Sequence, residues 1–380
     1  MKLAHFVRTF PTLSETFVLR QIRGLLLAGH DVDVYTLGVQ PMDGLDLFDL
    51  PGRLRVIPGQ PDSALGFARR AVKALPGVVL TPRLCASALS QKGIAIDTLL
   101  RMEPFLYGPA PVYDAAHAHF GQIGIGLELA RRLGRIDAPI VVSFLGKDIT
   151  GFIKQEGPGV YDQLIRNTDL FLPLNNFFKK RLEAMGATPE RVRNYRMGID
   201  VDKVPFRARS VDENQPVRIA TVGRLVEKKG TEFLLRALAR AKDGVPRALR
   251  LDVIGTGPLE EDLKKLASEL GLAGQVTFHG ARSHDQVLAL LDQAHLFSLP
   301  SVTAADGDME GIPFSIMEAM AAGLPVLVTH HSGIPELVED GVSGRLVQER
   351  DVAGLARALE ELLSAPADWP SMGEMGHKRI

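Results

Sequence analysis

Two glutamates eight positions apart, Glu310 and Glu318, enclose a glycine and a proline in the stretch EGIPFSIME (310–318). Eight helical steps of about 100° leave two side chains roughly 80° apart, so one straight helix would not align them. Pro313 predicts the first turn of a helix, which places Glu310 just before that helix and Glu318 inside it. A helix N-terminus suits a phosphate or a sugar oxygen. The spacing therefore predicts two acceptors along one extended, hydroxyl-rich, phosphate-bearing ligand. For either glutamate alone, a surface carboxylate is the simpler explanation.

Two cations follow a predicted strand in the stretch VGRLVEKKG (222–230). Arg224 and Lys229 would lie at the carboxyl end of that strand, the edge at which open α/β sheets bind ligands. Gly223 and Gly230 let the backbone approach a ligand closely. A diphosphate suits this pair, because arginine can bind it through two hydrogen bonds while lysine acts as a point charge. The alternative is a pair of solvated surface cations.

Glycine turns follow the next two predicted strands, in IGTGPLEED (254–262) and FHGARS (278–283). The first turn has Glu260 where the dinucleotide fingerprint requires a third glycine, which argues against a nicotinamide enzyme. A tight connection between strand and helix explains the glycines without any ligand. The candidate nucleotide contacts in these turns are Gly257, His279 and Gly280.

Histidines end a predicted strand of the first half in AHAHFG (116–121). His117 and His119 occupy alternate positions and therefore face the same side of that strand. A core or structural histidine is the alternative to a functional one. Downstream, SFLGKD (143–148) offers Lys147 and Asp148 as further candidates.

Short β-rich segments alternate with helical patterns throughout, which predicts an α/β protein with two parallel sheets. The simplest architecture is two Rossmann-like domains facing across a cleft, with an N-terminal domain at 1–200, a polar linker at 201–216 and a C-terminal domain at 217–380. The predicted strands cover residues 3–7, 31–37, 54–57, 115–120, 139–145, 169–174, 217–222, 249–255, 275–280, 295–300, 325–330 and 344–347.

Composition limits the class of protein. The chain has 380 residues with 44 basic and 45 acidic side chains, so no net charge points to nucleic acid. Its single cysteine, Cys85, excludes an intramolecular disulfide and a cysteine zinc cluster. The N-terminus lacks the apolar run of a signal peptide, and no stretch approaches the roughly 20 apolar residues of a membrane span. We therefore expect a cytoplasmic protein.

Two segments of the first half have local interpretations. Thr12 and Glu15 form a predicted capping box for a helix that ends at Gly29. Residues 64–92 interleave apolar side chains with five basic ones and contain no acidic residue. Such a segment can lie on an anionic membrane surface, here the inner face of the cell membrane. A solvated helix face that packs on the core produces the same pattern, and both interpretations stay open.

The second half resembles the family 4 glycosyltransferases of GT-B fold. The resemblance rests on GRLVEKKG, VIGTGP, FHG and EGIPFSIMEAMAAGLPVLVTHHSGIPELVEDGVSGRLV, and it covers 217–363. FPTLSETFVLRQI (10–22) and AHAHFG are similar to the bacterial exopolysaccharide subgroup of the colanic-acid type. The resemblance implies a retaining hexosyltransferase that takes a UDP- or GDP-linked sugar as donor and a lipid-linked or oligosaccharide molecule as acceptor. It implies neither a cofactor nor a metal.

Roles for single residues follow from the same resemblance. Arg224 and Lys229 would bind the donor diphosphate and stabilise charge on the leaving phosphate, which would accept the acceptor's proton. Glu318 would bind the ribose hydroxyls and Glu310 the donor sugar, while His119 would lie near the reacting sugar in an acceptor-binding domain. Base recognition would use backbone groups around 279–283. Backbone contacts near the sugar are expected from Gly311, Ile312 and Pro313.

Two features depart from the family pattern. Leu145 stands where many relatives have a histidine, and the chain stops at Ile380 where relatives continue for about another helix, through truncation or natural shortness. Three functions stay open on sequence alone. They are a transferase, a GT-B epimerase or phosphorylase, and a non-catalytic partner that binds a sugar nucleotide.

Overall fold

The computed structural model describes residues 1–12, 16–39, 53–58, 112–212, 215–242, 244–245 and 247–380. Glu15, Cys85 and the basic segment 64–92 lie outside these residues, so both interpretations of that segment stay predictions. The described chain forms two units. The first comprises Met1–Ile149, Ile153–Leu174 and Phe178–Tyr195, and the second comprises Thr150–Phe152, Asn175–Phe177 and Arg196–Ile380.

The first unit contains a six-stranded sheet in the order β3-β2-β1-β4-β5-β6, and all of its strand pairs are parallel. Its strands are β1 (Lys2–Phe10), β2 (Asp31–Val39), β3 (Leu54–Pro58), β4 (Ala115–His119), β5 (Ile140–Phe144) and β6 (Leu170–Pro173). The helices described in this part of the chain are α1 (Thr16–Leu27), α2 (Gly121–Arg132), α3 (Gly151–Glu156), α4 (Asp162–Asn167) and α5 (Asn176–Ala184). Gly29 has φ +84° and follows the last turn of α1, as predicted for its C-terminal cap.

The second unit repeats this topology, with parallel strands in the order β12-β11-β10-β7-β8-β9. Its strands are β7 (Val217–Val222), β8 (Leu249–Ile254), β9 (Val276–Gly280), β10 (Leu296–Leu299), β11 (Val326–Thr329) and β12 (Gly344–Val347). Its helices are α6 (Thr231–Ala241), α7 (Glu260–Glu269), α8 (His284–Gln293), α9 (Phe314–Ala321), α10 (Ile334–Leu337), α11 (Val352–Ser364) and α12 (Trp369–Arg379). Among the residues described, no helix combines the length and the apolar character needed to cross a membrane.

Both sheets have the strand order of a Rossmann fold, which confirms the predicted pair of parallel α/β units. In each sheet, the first and fourth strands are neighbours and the chain reverses its direction of travel between them. Ligands of open α/β sheets bind outside the carboxyl ends of the strands at this switch point. In the second unit the switch point lies between β7 and β10, where Ala220 pairs with Phe297.

Two apolar clusters cover the two faces of the second sheet. On one face, Leu234, Leu235 and Leu238 of α6 are fully buried together with Leu355 and Leu359 of α11. On the other face, α9 packs against α12 and contributes Ile316, Ala319 and Met320. This burial fixes the starts of α6 and α9, which carry the polar residues described below.

The polar segment 201–216, predicted as a linker, belongs to the second unit. The side chain of Arg209 within it is fully buried. Its guanidinium donates to the carbonyls of Asp292, Ala294 and Ala322 at 2.5–3.2 Å. These carbonyls end α8 and α9, where a helix leaves C=O groups without intrahelical partners. A polar segment thus packs tightly here because it satisfies helix ends.

Candidate functional site

Acidic and basic side chains meet at the carboxyl edge of the second sheet. Lys229 Nζ lies 3.0 Å from Glu310 Oε2. Lys228 Nζ lies 3.3 Å from Glu310 Oε1 and 3.1 Å from Asp308 Oδ2. The lysines follow β7 and the carboxylates follow β10, so the cluster stands at the switch point of this sheet. Arg224 is exposed at the same edge and has no ion-pair partner among the described residues.

Glu310 is an ionised carboxylate in a buried setting, with only 11% of its side chain exposed. Burial favours the neutral acid, but the charges of Lys229 and Lys228 outweigh it and lower the pKa of Glu310 to about 2. Burial also opposes the charge of Lys228, yet Glu310 and Asp308 raise the pKa of that lysine. Glu310 and Lys228 therefore each favour the charged form of the other.

The backbone around Gly230 brings the lysines to this place. Gly230 is left-handed with φ +67°, and a Cβ there would lie 1.9 Å from the carbonyl oxygen of Pro300. Only glycine fits this contact between the connection after β7 and the connection after β10. Lys229 then lies across Gly223, with its Cε 3.0 Å from where a Cβ of Gly223 would stand. The glycines of GRLVEKKG thus position the cation.

The shifted pKa of Glu310 predicts an acid-sensitive contribution to stability. A carboxylate with a pKa lowered from 4.5 to about 2 stabilises the fold above pH ~4.5 and loses that contribution as the pH falls towards 2. The shift corresponds to roughly 3 kcal/mol. We expect Glu310→Gln to lower the melting temperature at pH 7 and the difference from wild type to shrink on acidification. Melting temperatures between pH 7 and pH 3 measure it.

A surface variant, Glu261→Gln, controls for general loss of negative charge, because 86% of that side chain is exposed. It should melt like wild type at every pH. A constant difference between wild type and Glu310→Gln down to pH 3 would contradict the assignment of a buried ion pair.

The second glutamate of the opening motif lies within α9. The helix begins at Phe314, and Pro313 is its N-cap with φ −65° and ψ 125°. The prediction of Pro313 as a first-turn residue is therefore wrong by one position, because its extended ψ precedes the first helical residue. Gly311, also buried, and the half-buried Ile312 connect Glu310 to that cap. Glu318 has 13% of its side chain exposed, with Oε1 3.7 Å from Nδ1 of His284.

The glycine turns after β8 and β9 serve packing in the described structure. A Cβ on Gly257 would lie 2.4–2.7 Å from backbone atoms of Leu225. Gly280 has φ +69°, and its carbonyl accepts from the N–H of Gly255 at 3.0 Å. His279 Nε2 lies 2.7 Å from Oδ1 of Asp252. The turns therefore hold the connections at the carboxyl edge together, and nucleotide contacts from Gly257, His279 and Gly280 stay predictions.

The histidines of the first unit form a buried stack. The rings of His117 and His119 stack at 4.3 Å, as expected for alternate positions of β4. His119 Nε2 lies 2.9 Å from Nδ1 of His5 in β1, and His117 Nε2 lies 2.8 Å from Oγ of Ser143. Burial lowers the pKa of His5 to about 4 and lowers the pKa of both other rings well below 6.5. All three imidazoles are therefore neutral at pH 7.

A ring nitrogen from each of these histidines lies within 4.8 Å of the others, a separation that a metal ion can bridge. Stacked imidazoles direct their in-plane lone pairs side by side, however, and the contact between His5 and His119 has hydrogen-bond length. The geometry therefore favours a hydrogen-bonded stack over a ligand set. The role of His119 near a sugar and the absence of any metal requirement stay predictions.

Asp148, a candidate from SFLGKD, contacts backbone around it. Its Oδ1 accepts from the N–H groups of Leu145 and Gly146 at 3.0 and 2.9 Å, and its Oδ2 accepts from the N–H of Gly121 at 3.0 Å. The carboxylate thus joins the turn after β5 to the first residue of α2. This position after His119 makes Asp148 a support for the histidine strand.

Sequence reasoning missed four residues of the site in the second unit. Lys228 was not proposed, although EKKG contains both lysines. Asp308 stands two positions before Glu310 in a segment with no regular pattern. His331 and Glu349 follow β11 and β12, and they reach the cluster only through the strand order. The doubled histidine in THHSG was the one available signal.

Comparisons with known proteins agree with this picture. Residues 203–379 match the family described as glycosyl transferases group 1. The chain is 37% identical over 370 residues to the putative colanic acid biosynthesis glycosyltransferase WcaL of Salmonella typhimurium, which covers 95% of this chain and 90% of the relative. It is 35% identical over 380 residues to the amylovoran biosynthesis glycosyltransferase AmsK of Erwinia amylovora, which covers 97% and 92%.

Solved structures share the fold at low identity. Anabaena Alr3699/HepE in complex with UDP and glucose matches with a TM-score of 0.70 and 18% identity, over 100% of this chain and 94% of that chain. The sucrose-phosphate synthase of Thermosynechococcus elongatus matches with a TM-score of 0.71 and 20% identity, over 100% and 94%. Both likenesses extend over both units of the chain.

Proposed function

This chain belongs to the group 1 glycosyl transferases and has their GT-B fold, and we propose that it transfers a hexose from a UDP- or GDP-linked donor during exopolysaccharide biosynthesis. The acceptor in this proposal is a lipid-linked or oligosaccharide molecule, and the sugar keeps its anomeric configuration. The observation that carries the proposal is the Glu310 carboxylate held between Lys228 and Lys229 at the switch point of the second sheet.

The cluster has the chemistry that a diphosphate sugar requires. Lys229 and the exposed Arg224 provide cations at the carboxyl edge, where a phosphate can approach. Glu310 accepts hydroxyl hydrogen bonds in its ionised form and lies 3.0 Å from Lys229. A ligand with phosphate at one end and hydroxyls at the other matches this order of charges. Glu318, further along α9, supplies a second acceptor for the ribose.

The proposed transfer breaks the bond between the anomeric carbon and the phosphate oxygen and forms a bond from the acceptor oxygen on the same face. The acceptor's proton passes to the departing phosphate, so no external base is required. Negative charge grows on that phosphate as the bond breaks. Fixed cations that face such a charge lower the barrier, and this electrostatic effect is usually the largest in enzymes.

Names of the relatives support the biological setting. The two relatives described above are named for colanic acid and amylovoran biosynthesis, and the structure of Anabaena Alr3699/HepE is a complex with UDP and glucose. We extend these settings to this chain as part of the proposal, together with independence from metal ions. Peripheral contact with an anionic membrane would bring the enzyme to a lipid-linked acceptor.

A nucleotide screen tests the donor. A ligand that binds only the folded protein stabilises it by about 2.7 kcal/mol at a hundred times its Kd, so the matching nucleotide should raise the melting temperature measurably. We expect UDP or GDP to stand out among UDP, GDP, ADP and CMP, and uridine or guanosine alone to give a much smaller shift. Equal or absent shifts for all four would contradict the proposal.

Product analysis tests the reaction. A membrane lipid extract supplies the acceptor. Radiolabelled sugar from the donor should then appear in a product linked to that acceptor. Epimerised donor, or phosphorolysis on addition of phosphate, would identify the other GT-B reactions instead. Binding without any of these turnovers would identify a non-catalytic partner.

A further inference from the structure

A buried histidine–carboxylate pair touches the main chain of Glu310. The backbone N–H of Glu310 donates to Nε2 of His331 at 2.9 Å. His331 Nδ1 lies 2.5 Å from Oε1 of Glu349. The His331 ring is fully buried, and Glu349 is partly exposed. Because Nε2 accepts from Glu310, the ring proton is on Nδ1 and is donated to Glu349.

Glu349 also binds Thr303, which lies in the same connection between β10 and α9 as Glu310. Its Oε2 accepts from the N–H of Thr303 at 2.7 Å, and its Oε1 lies 3.3 Å from Oγ1 of Thr303. Burial favours the neutral acid of Glu349, but the hydrogen bonds from His331 and Thr303 hold its pKa below the usual range. One carboxylate thus ties Thr303 directly, and Glu310 through His331, across the connection between β10 and α9.

The backbone around His331 is built for this contact. Ser332, the next residue, has φ +47°, an uncommon conformation for a residue with a side chain. The N–H of His331 donates to the carbonyl of Thr329, and its carbonyl accepts from Ile334. This tight turn after β11 fixes the ring towards Glu310. Strained residues that the surroundings enforce are concentrated at functional sites.

From this geometry we propose that His331 and Glu349 are positioning residues, which hold the main chain of Glu310 so that its carboxylate stays between Lys228 and Lys229. Neither residue touches substrate in this role. The proposal deepens the proposed function, because it concerns the carboxylate assigned to the donor sugar. Its structural part, the anchoring of the Glu310 amide, is independent of which reaction the site performs.

Two substitutions of His331 separate its two hydrogen bonds. In His331→Gln, the amide oxygen can reach the place of Nε2 and accept from Glu310, while the contact with Glu349 is lost. In His331→Asn, the shorter amide can donate to Glu349 in place of Nδ1 but does not reach Glu310. We expect the Glu310 amide to exchange hydrogen about tenfold faster in His331→Asn than in wild type, and His331→Gln to exchange within about threefold of wild type.

Kinetics on the same variants provide the functional measurement. With UDP- or GDP-sugar donor, we expect His331→Asn to lower kcat about tenfold with the donor KM within about twofold, and His331→Gln to restore most of the rate. Glu349→Gln keeps the shape of the side chain but can place an N–H₂ group against the N–H of Thr303, which donates to Oε2 in the wild type. It should accelerate exchange at Thr303 and serves as the second variant if His331→Asn does not fold.

The outcomes separate the two proposals. Hydrogen exchange, resolved to single amides by mass spectrometry on the free protein, reports the anchor without any substrate. Wild-type exchange at Glu310 in His331→Asn and wild-type exchange at Thr303 in Glu349→Gln, or equal effects of Asn and Gln at His331, would overturn the positioning role. Faster exchange in a chain whose wild type transfers no sugar would overturn the proposed function and leave the anchor intact.

Discussion

Lys229→Ala is expected to weaken binding of UDP or GDP, whichever stabilises the wild type, by about tenfold to hundredfold. The parent nucleoside should bind within about twofold of wild type. Only 14% of the Lys229 side chain is exposed, and its Nζ stands 3.0 Å from Glu310 at the switch point. A phosphate that enters there gains a largely desolvated cation, whereas a nucleoside has no charge to pair. Titration calorimetry with both ligands measures the difference.

Lys228→Ala is the matched control, because it removes the same charge from the neighbouring residue. Lys228 is engaged by Asp308 as well as by Glu310, at 3.1 and 3.3 Å, and is less available to a phosphate. We expect its loss to weaken diphosphate binding less than the loss of Lys229. Equal weakening would show that the summed positive charge of the two lysines matters and not a specific contact of Lys229. Wild-type binding by Lys229→Ala would refute the diphosphate contact.

The sheets were predictable because burial dictates composition. Strands covered on both faces are apolar runs such as VRIATV and PVLVTH, and every predicted strand overlaps an observed one. VRIATV matches β7 at both ends, from Val217 to Val222. The sequence also predicts that Lys229 and Glu310 lie near each other, since residues after parallel strands share the carboxyl edge of a sheet. Their direct contact at 3.0 Å confirms that they lie together.

The partners of these residues were not predictable, because they depend on strand order. His331 follows the fifth strand of its unit and Glu349 follows the sixth, yet both join a connection that begins after the fourth. Pattern along the chain gives the strands but not the neighbours that their connections meet. The prediction that Pro313 lies in the first turn of α9 was wrong for a local reason. Proline fixes φ and leaves ψ open, so Pro313 suits the N-cap as well as the first turn.

Substituting the two glutamates of EGIPFSIME is expected to change different kinetic constants, kcat for Glu310 and the donor KM for Glu318. Glu310→Gln should lower kcat by about tenfold to hundredfold, because a hydrogen bond from a charged group contributes about 1.5–3 kcal/mol. In the proposed function Glu310 binds the sugar, where charge is redistributed as the bond to phosphate breaks. Contacts made only in the transition state are lost from kcat. Steady-state kinetics measures this effect, with a donor that carries the nucleotide found to stabilise the protein. The assay temperature is kept below the melting transition of the variant.

Glu318→Gln makes the same chemical change eight residues further along and serves as the control. Glu318 is assigned to the ribose, which does not react, so its loss removes binding that substrate and transition state share. We therefore expect the donor KM to rise by about tenfold while kcat stays within about twofold. Two lysines contact Glu310 at 3.0 and 3.3 Å, whereas Oε1 of Glu318 lies 3.7 Å from Nδ1 of the exposed His284. Full turnover in Glu310→Gln, or an unchanged donor KM in Glu318→Gln, would show that the two carboxylates do not divide the donor in this way.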